Sequence, residues 1–362
     1  PAGKTSEEVL LAAIVAKTTP DICSNILPST IQRLTNANSV ICIDRFKDSR
    51  EYILKRVRKK TLEGFLCPDG KLYQVPWKCN PLMFAYDVEL FKKLNIKPPR
   101  TYSEFWGIAV KLTRDTDNDG RYDKWPIGPS IHVVWKQRMF DFYTFYAAAS
   151  KGKSLLKDGQ VIFNNRAARE VMKFFKYGYE KKFFPKIREN ANLFVERKLA
   201  MQLVGPWKIA EYEKYRSRDF KYDFCPVPKP DYVKGPSYTY GDPKNMVIFS
   251  TCKHPEAAWK FIKFLISEEA DRLLLKICSQ LPIRKWLVGN PKFEDIFKKQ
   301  KLLQRFAAQV PYIAPLDNSP HLIEILDTIS QQYEACAIYG IISPKEAIEK
   351  AANRASTILK YW

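Results

Sequence analysis

Short apolar runs with strand character alternate with amphipathic helical stretches along the whole chain, and this alternation limits the fold more than any other feature. Leu72–Pro76 and Leu82–Tyr86 read as strands, and Val40–Ile43 has the same character. Asp87 opens a helix expected to end before Pro98-Pro99. Thr101 and Glu104 form a capping box for the next helix, through Phe105, Ala109 and Leu112. Ala257–Leu265 has helical apolar spacing, and Ser343-Pro344-Lys345-Glu346 caps a C-terminal helix. Ser6 is expected to cap a first helix through Val9, Leu10, Ala13 and Ile14, which Pro20-Asp21 ends. Alternating elements of this kind build α/β layers. No internal repeat or low-complexity linker divides them, so two lobes would have to interweave.

At 362 residues the chain is long enough for two domains, each with its own core. A hydrophobic fraction of 46% argues against intrinsic disorder. The net charge of +21 is compatible with nucleic acid, an anionic membrane or an acidic ligand. The positives are spread over helical segments such as Lys55–Lys60 and Lys298–Lys301, with no arginine-rich tail, so solvated faces are the expectation and nucleic acid is not. No run of eighteen apolar residues and no signal peptide is present; the first residues read as a loop entering a helix, not as a natural start. Eight cysteines occur without a C-x-x-C, which leaves zinc-ribbon and thioredoxin chemistry unsupported.

Catalytic signatures are missing. His132, His254 and His321 are far apart and outside any H-E-x-x-H motif. The sequence has no G-x-S-x-G elbow, Walker loop or G-x-G-x-x-G fingerprint. Carboxylates that pair only in space, as in a glycosidase, stay open as an alternative. One local constellation points to a cation: Asp115, Asp117, Asp119 and Asp123 stand at positions one, three, five and nine of a loop, with Gly120 at six and Arg121 at seven. This spacing gathers oxygen ligands around calcium, but position twelve is Pro126 where a full EF-hand has glutamate. A calcium loop and a solvated acidic turn are both compatible with it; no other cofactor is required.

Several segments, in order, resemble the family 1 extracellular solute-binding proteins of ABC importers, the maltose-binding-protein-like group. Ala12–Ile22 matches the family's helix and Pro-Asp turn, and Gly70–Trp77 its "GKLYGVPW" strand. Tyr86–Ile96 with Pro98-Pro99 and Thr101–Phe105 follows "YNKDLFKKLGI…PPTTWDEF". Lys198–Met201 with Gly205-Pro206-Trp207, then Pro226-Val227-Pro228, Lys253–Phe261 and Leu281–Arg284, complete the set. The sequence departs from the family at Lys151-Gly152-Lys153, in place of a Gly-Gly, and at Asp87, in place of an asparagine. The family's first strand, first helix and second strand would precede Pro1, so the first lobe is expected to lack them or to be built differently.

The resemblance implies a type II periplasmic-binding-protein fold. Residues 1–80 and 244–283 would form the first lobe, and 84–240 and 287–362 the second, closing on a ligand held in the cleft between them. It implies a monomer that captures a sugar, oligosaccharide or polyol and delivers it to ABC permease subunits, with no turnover. The location would be periplasmic or extracellular, with a lipid anchor as one form. Aromatic rings would stack on sugar faces while polar side chains bind hydroxyls. Carried over by position, Trp207 is the leading stacking residue. Ser24 and Asn25, just beyond Pro20-Asp21, lie where a strand of the family ends at the cleft. Trp77 and Asn80 lie at the first crossing, Tyr240 and Asp242 at the second, and Arg284 at the third. His321 heads a later helix, and Trp135, Arg138 and Phe142 belong to the second lobe.

Overall fold

The computed structural model describes residues 6–188, 192–315, 317 and 319–361. Its strands are β1 (Ile22–Ile26), β2 (Val75–Cys79), β3 (Met83–Asp87), β4 (Leu156–Lys157), β5 (Gln160–Val161), β6 (Met201–Val204), β7 (Tyr222–Cys225) and β8 (Pro243–Ile248). The chain divides into two compact units: Pro1–Cys79, Pro243–Ile296 and Asn318–Pro320 form the first, and Asn80–Asp242, Phe297–Asp317 and His321–Trp362 the second.

The first unit is built on an antiparallel sheet of order β1-β8-β2. Side chains alternate across a strand, so the apolar run Met246–Phe249 supplies both faces of the sheet. Met246 and Ile248 join Ile43, Ile53, Leu72, Val75, Trp259 and Ile262 on one face. Val247 and Phe249 join Ile26, Ile31, Leu34 and Val40 on the other. Trp259 is buried in helix Pro255–Leu265, stacks on Phe46 at 5.4 Å, and donates from Nε1 to Asp48 Oδ1 at 2.8 Å. The indole thus packs its apolar face while its one donor is satisfied.

The second unit has a sheet of order β6-β3-β7, with β3 antiparallel to both neighbours. The β4–β5 hairpin turns through Asp158 and Gly159, whose φ of 50° and 73° suit a two-residue turn that follows the strand twist. Helix Arg166–Glu180 is capped by Asn165, which accepts from Ala168 N at 3.1 Å. Its buried Phe174 and Phe175 pack with Phe105, Phe145 and Phe184 at centroid separations of 4.9 to 6.2 Å.

Several local expectations are met and several are revised. Asp87 caps helix Val88–Lys93 by accepting from Leu90 N at 2.9 Å. That helix ends before the prolines, as expected, and Asn95 takes a left-handed φ of 49° just beyond it. At the expected capping box Thr101 accepts from Glu104 N, but Glu104 reaches back to Arg100 N, one residue before the cap. The cap expected at Ser6 depends on a side chain outside the described residues. Val40–Ile43 is no strand: only Val40 bridges to Phe249, and Ile43–Arg45 is a 3₁₀ turn. Its place is set by Ile43 N donating to Leu72 O and Leu72 N to Asp44 Oδ2. Residues 287–296 belong to the first unit rather than the second, because Arg272 holds Asp295 and the Lys292 carbonyl. Among the described residues no helix is long and apolar enough to cross a membrane.

Candidate functional site

In the first unit, β1 ends in an irregularity that carries Ser24 and Asn25. The β1–β8 register slips between Ser24 and Ile26, and Asn25 sits there with φ of 64°. Asparagine tolerates this left-handed conformation better than most residues, and a bulge of this kind re-aims side chains at a strand end. Both residues are exposed. Trp77 is half-buried in β2, and the Lys78 ammonium lies 4.4 Å from its ring centroid. Arg284 follows the Lys78–Pro282 bridge and donates from Nε to Asp271 Oδ2 at 2.7 Å. Asp271 is also held by Arg56, so the structure places Arg284 in a buried ion network of the first unit.

The second unit gathers an aromatic group. Trp207 follows β6 through Gly205-Pro206 and is half-buried. Its ring folds back over Gly205, where a Cβ would overlap Cζ3 and Cη2, so glycine is what lets the indole lie there. Phe140 meets Trp207 edge-on at 6.3 Å and Tyr240 edge-on at 6.4 Å. Tyr240 is tilted on Tyr143 at 5.5 Å and donates to Asp242 Oδ1 at 3.4 Å. Tyr143 donates in turn to Asp317 Oδ2 at 2.9 Å. Trp207, Tyr240 and Asp242 are thus brought together around Phe140, a residue the sequence did not single out. Phe140 lies in a π-helical turn, Met139–Tyr143. The extra residue of such a turn shifts which side chains share a face, and π-turns recur at functional sites.

That shift separates Phe140 from its neighbours. Phe142 is fully buried and stacks parallel on Tyr146 at 6.2 Å. Arg138 is also fully buried: Nη2 pairs with Asp141 Oδ2 at 2.8 Å and donates to Ser130 O, while the guanidinium lies 3.9 Å from the Tyr333 ring centroid. Burial pushes the Asp141 carboxyl up to about 6 despite the opposing Arg138 charge. A cavity of about 50 Å³ lined by Gln137, Phe140, Asp141 and Gln202 lies beside this pair. Trp135 is buried, and its backbone N–H donates to Asp327 Oδ1 at 2.9 Å. Asn80 is buried, and His321 is half-buried at the start of helix Leu322–Tyr333.

The acidic loop is compact. Oxygens of Asp115, Asp117 and Asp119 lie within 4.8 Å of one another. Gly120 N donates to Asp115 Oδ2 and Arg121 N to Asp119 Oδ1, each at 2.8 Å. Asp115 Oδ1 is shielded from solvent with no hydrogen-bond partner. The Asp119 N–H lowers the Asp117 carboxyl, but the adjoining Asp115 and Asp119 carboxyls outweigh it and hold Asp117 above its ordinary value. Asp123 turns its carboxylate to Thr116, accepting from N and Oγ1.

Comparison with known proteins places this geometry in a family. The profile of the bacterial extracellular solute-binding proteins matches residues 3–272. A putative binding protein of Brucella abortus is 26% identical over 322 residues, covering 85% of this chain and 74% of that protein. The maltodextrin-binding protein MdxE of Bacillus subtilis is 24% identical over 307 residues, covering 81% and 67%. Among solved structures, an uncharacterized protein of Listeria monocytogenes superimposes with a TM-score of 0.80 at 26% identity, covering 98% of this chain and 89% of that one. The maltose/maltodextrin-binding domain MalE of Bdellovibrio bacteriovorus, bound to maltotriose, gives a TM-score of 0.79 at 22% identity, covering 99% and 90%, and shares the fold. With the type II periplasmic-binding-protein fold and a family match over most of its length, the chain belongs to the bacterial extracellular solute-binding proteins.

Proposed function

We propose that this protein is the ligand-capturing subunit of an ABC importer and that its ligand is a sugar, with maltodextrin-type oligosaccharides the leading class. The observation that carries the reading is the Phe140–Trp207–Tyr240 group with Asp242 at its edge. Phe140 and Trp207 are half-buried and leave ring surface for the C–H face of a pyranose, while Tyr240 and Asp242 are buried beside them. The maltodextrin-binding relative supports the ligand class. The bound sugar would pass to permease subunits, with the receptor outside the cytoplasm and a lipid anchor as one means of retention.

Titration calorimetry with maltose, maltotriose and maltotetraose tests this, alongside chromatography of the sugars after prolonged incubation. Saturable binding with unchanged sugar is the expected result; multiple turnovers of cleavage would overturn the receptor reading. Trp207→Ala is expected to weaken binding by about 1–3 kcal/mol, the order for losing a ring contact and its apolar area.

We propose further that the Asp115–Asp123 loop holds a calcium ion. The crowded carboxylates of Asp115, Asp117 and Asp119 support it, as does the unpartnered Asp115 Oδ1. Hard oxygen donors of this kind suit calcium.

A further inference from the structure

The loop after the Arg56–Asp271–Arg284 network is held at alternate residues and projects the others. Lys285 N donates to Arg56 O at 2.8 Å, and its Nζ to Leu54 O at 3.0 Å. Leu287 is buried. Between and beyond these anchors, Trp286 is 67% exposed and Val288 54% exposed. Trp286 has φ of 59°, a left-handed conformation that a bulky residue rarely adopts. Backbone strain at an exposed aromatic persists only where the surroundings fix it. Here the anchors on both sides fix it, and the Arg58 guanidinium lies 5.0 Å from the ring centroid.

Arg58 also begins a basic step. It precedes helix Lys59–Glu63, and Arg58, Lys59 and Lys60 are all exposed with no ion pair among the described residues. A rigid tryptophan and valine therefore stand beside three adjacent cations. An indole favours the boundary between hydrocarbon and headgroups, where its body is apolar and its N–H stays wet. Neighbouring lysine and arginine side chains at that depth meet phosphate oxygens. The net charge of +21 draws the whole chain toward an anionic surface, but only a local wedge sets which face arrives.

We propose that Trp286 and Val288, with Arg58, Lys59 and Lys60, form a docking surface for an anionic lipid bilayer. The tryptophan enters the headgroup region and the cations pair with lipid phosphates. Such docking would hold an importer's receptor near the membrane.

Sedimentation of the full chain with vesicles tests this, using equal parts phosphatidylglycerol and phosphatidylcholine against phosphatidylcholine alone. Binding to the anionic vesicles, weakened by salt, with a blue shift of tryptophan emission, is the expected result. Trp286→Ser leaves the charge unchanged and is expected to lower partitioning about tenfold, the order for losing one interfacial aromatic. Lys59→Glu with Lys60→Glu is expected to lower it as well. Equal partitioning of Trp286→Ser and the parent would reduce the effect to bulk charge and overturn the proposal. Failure of the parent to bind anionic vesicles would also overturn it and leave the wedge to a protein partner. Unchanged thermal melting and sugar affinity in both variants separate this surface from the fold and from the ligand reading.

Discussion

Arg56 donates from Nε to Asp271 Oδ2 at 2.9 Å and from Nη2 to Asp271 Oδ1 at 2.8 Å, with both side chains buried. The same guanidinium donates to the carbonyls of Pro76 and Trp77 at 2.7 and 2.6 Å. Asp271 also accepts from Arg284. One carboxylate thus pairs with two guanidinium groups, leaving a net positive charge, and fixes the backbone of β2 against helix Glu268–Cys278. Removing it leaves the buried Arg56 and the half-buried Arg284 without their counter-ion. Asp271→Ala is expected to cost about 3–5 kcal/mol of stability in chemical denaturation. Asp271→Asn keeps the shape and one acceptor oxygen, and should cost less. Equal stability of Asp271→Ala and the parent would show the network to be energetically idle.

Much of the first unit's core is legible from sequence pattern because it depends on neighbours in the chain. Met246–Phe249 is an apolar run that a strand buried on both faces requires. Asp87 and Thr101 announce their helices because capping is local. The Arg56–Asp271 pair joins residues 215 positions apart, and no local pattern marks it. Val40–Ile43 misleads because its composition suits a strand while Leu72 and Asp44 hold it in a turn. In the candidate site, Gly205-Pro206-Trp207 marks a ring that glycine accommodates. Phe140 is hidden because a regular helical phase does not anticipate a π-turn, which presents Phe140 to Trp207 and buries Phe142.

Asp317 gives the second unit a signature in pH. It is buried and accepts from Leu155 N at 2.8 Å, Leu156 N at 2.9 Å and Tyr143 Oη. Burial outweighs these donors and pushes its carboxyl up to about 6. A raised carboxyl makes the folded state bind more protons than the unfolded state between its folded value and the ordinary value near 3.8. Stability from this group therefore rises as pH falls through about 6 and levels off below the unfolded value, a gain on the order of 3 kcal/mol. Asp317→Asn should lessen the slope between pH 7 and pH 4 in denaturation profiles by this group's share, with Asp141, also raised to about 6, keeping its own. Parallel profiles for the two proteins would refute the assignment.

Calcium is expected to raise the melting temperature of the parent. Three exposed or half-exposed carboxylates crowd within 4.8 Å, and a divalent cation relieves their repulsion. Binding to the folded state alone stabilises it by about 2.7 kcal/mol at a hundredfold excess over Kd. Asp117→Ala with Asp119→Ala should abolish the calcium response. An equal calcium shift in both proteins, or none in either, removes the site.

Gly205 tests the orientation of Trp207 without removing the ring. A methyl group at residue 205 would overlap Cζ3 and Cη2 of the indole, so the ring must swing away from its place over the backbone. Phe140 meets that ring edge-on, so the displacement passes to the next aromatic as well. Gly205→Ala keeps every aromatic side chain and every charge. If ring placement carries sugar affinity, this variant should weaken binding about tenfold, or about 1.4 kcal/mol, approaching the effect of Trp207→Ala. A purely packing role predicts a lower melting temperature with affinity unchanged. Calorimetric titration and thermal melting on the one protein therefore decide between a binding ring and a packing ring, and Gly205→Ala combined with Trp207→Ala should show less than the sum of the two affinity losses, since both act through the same indole.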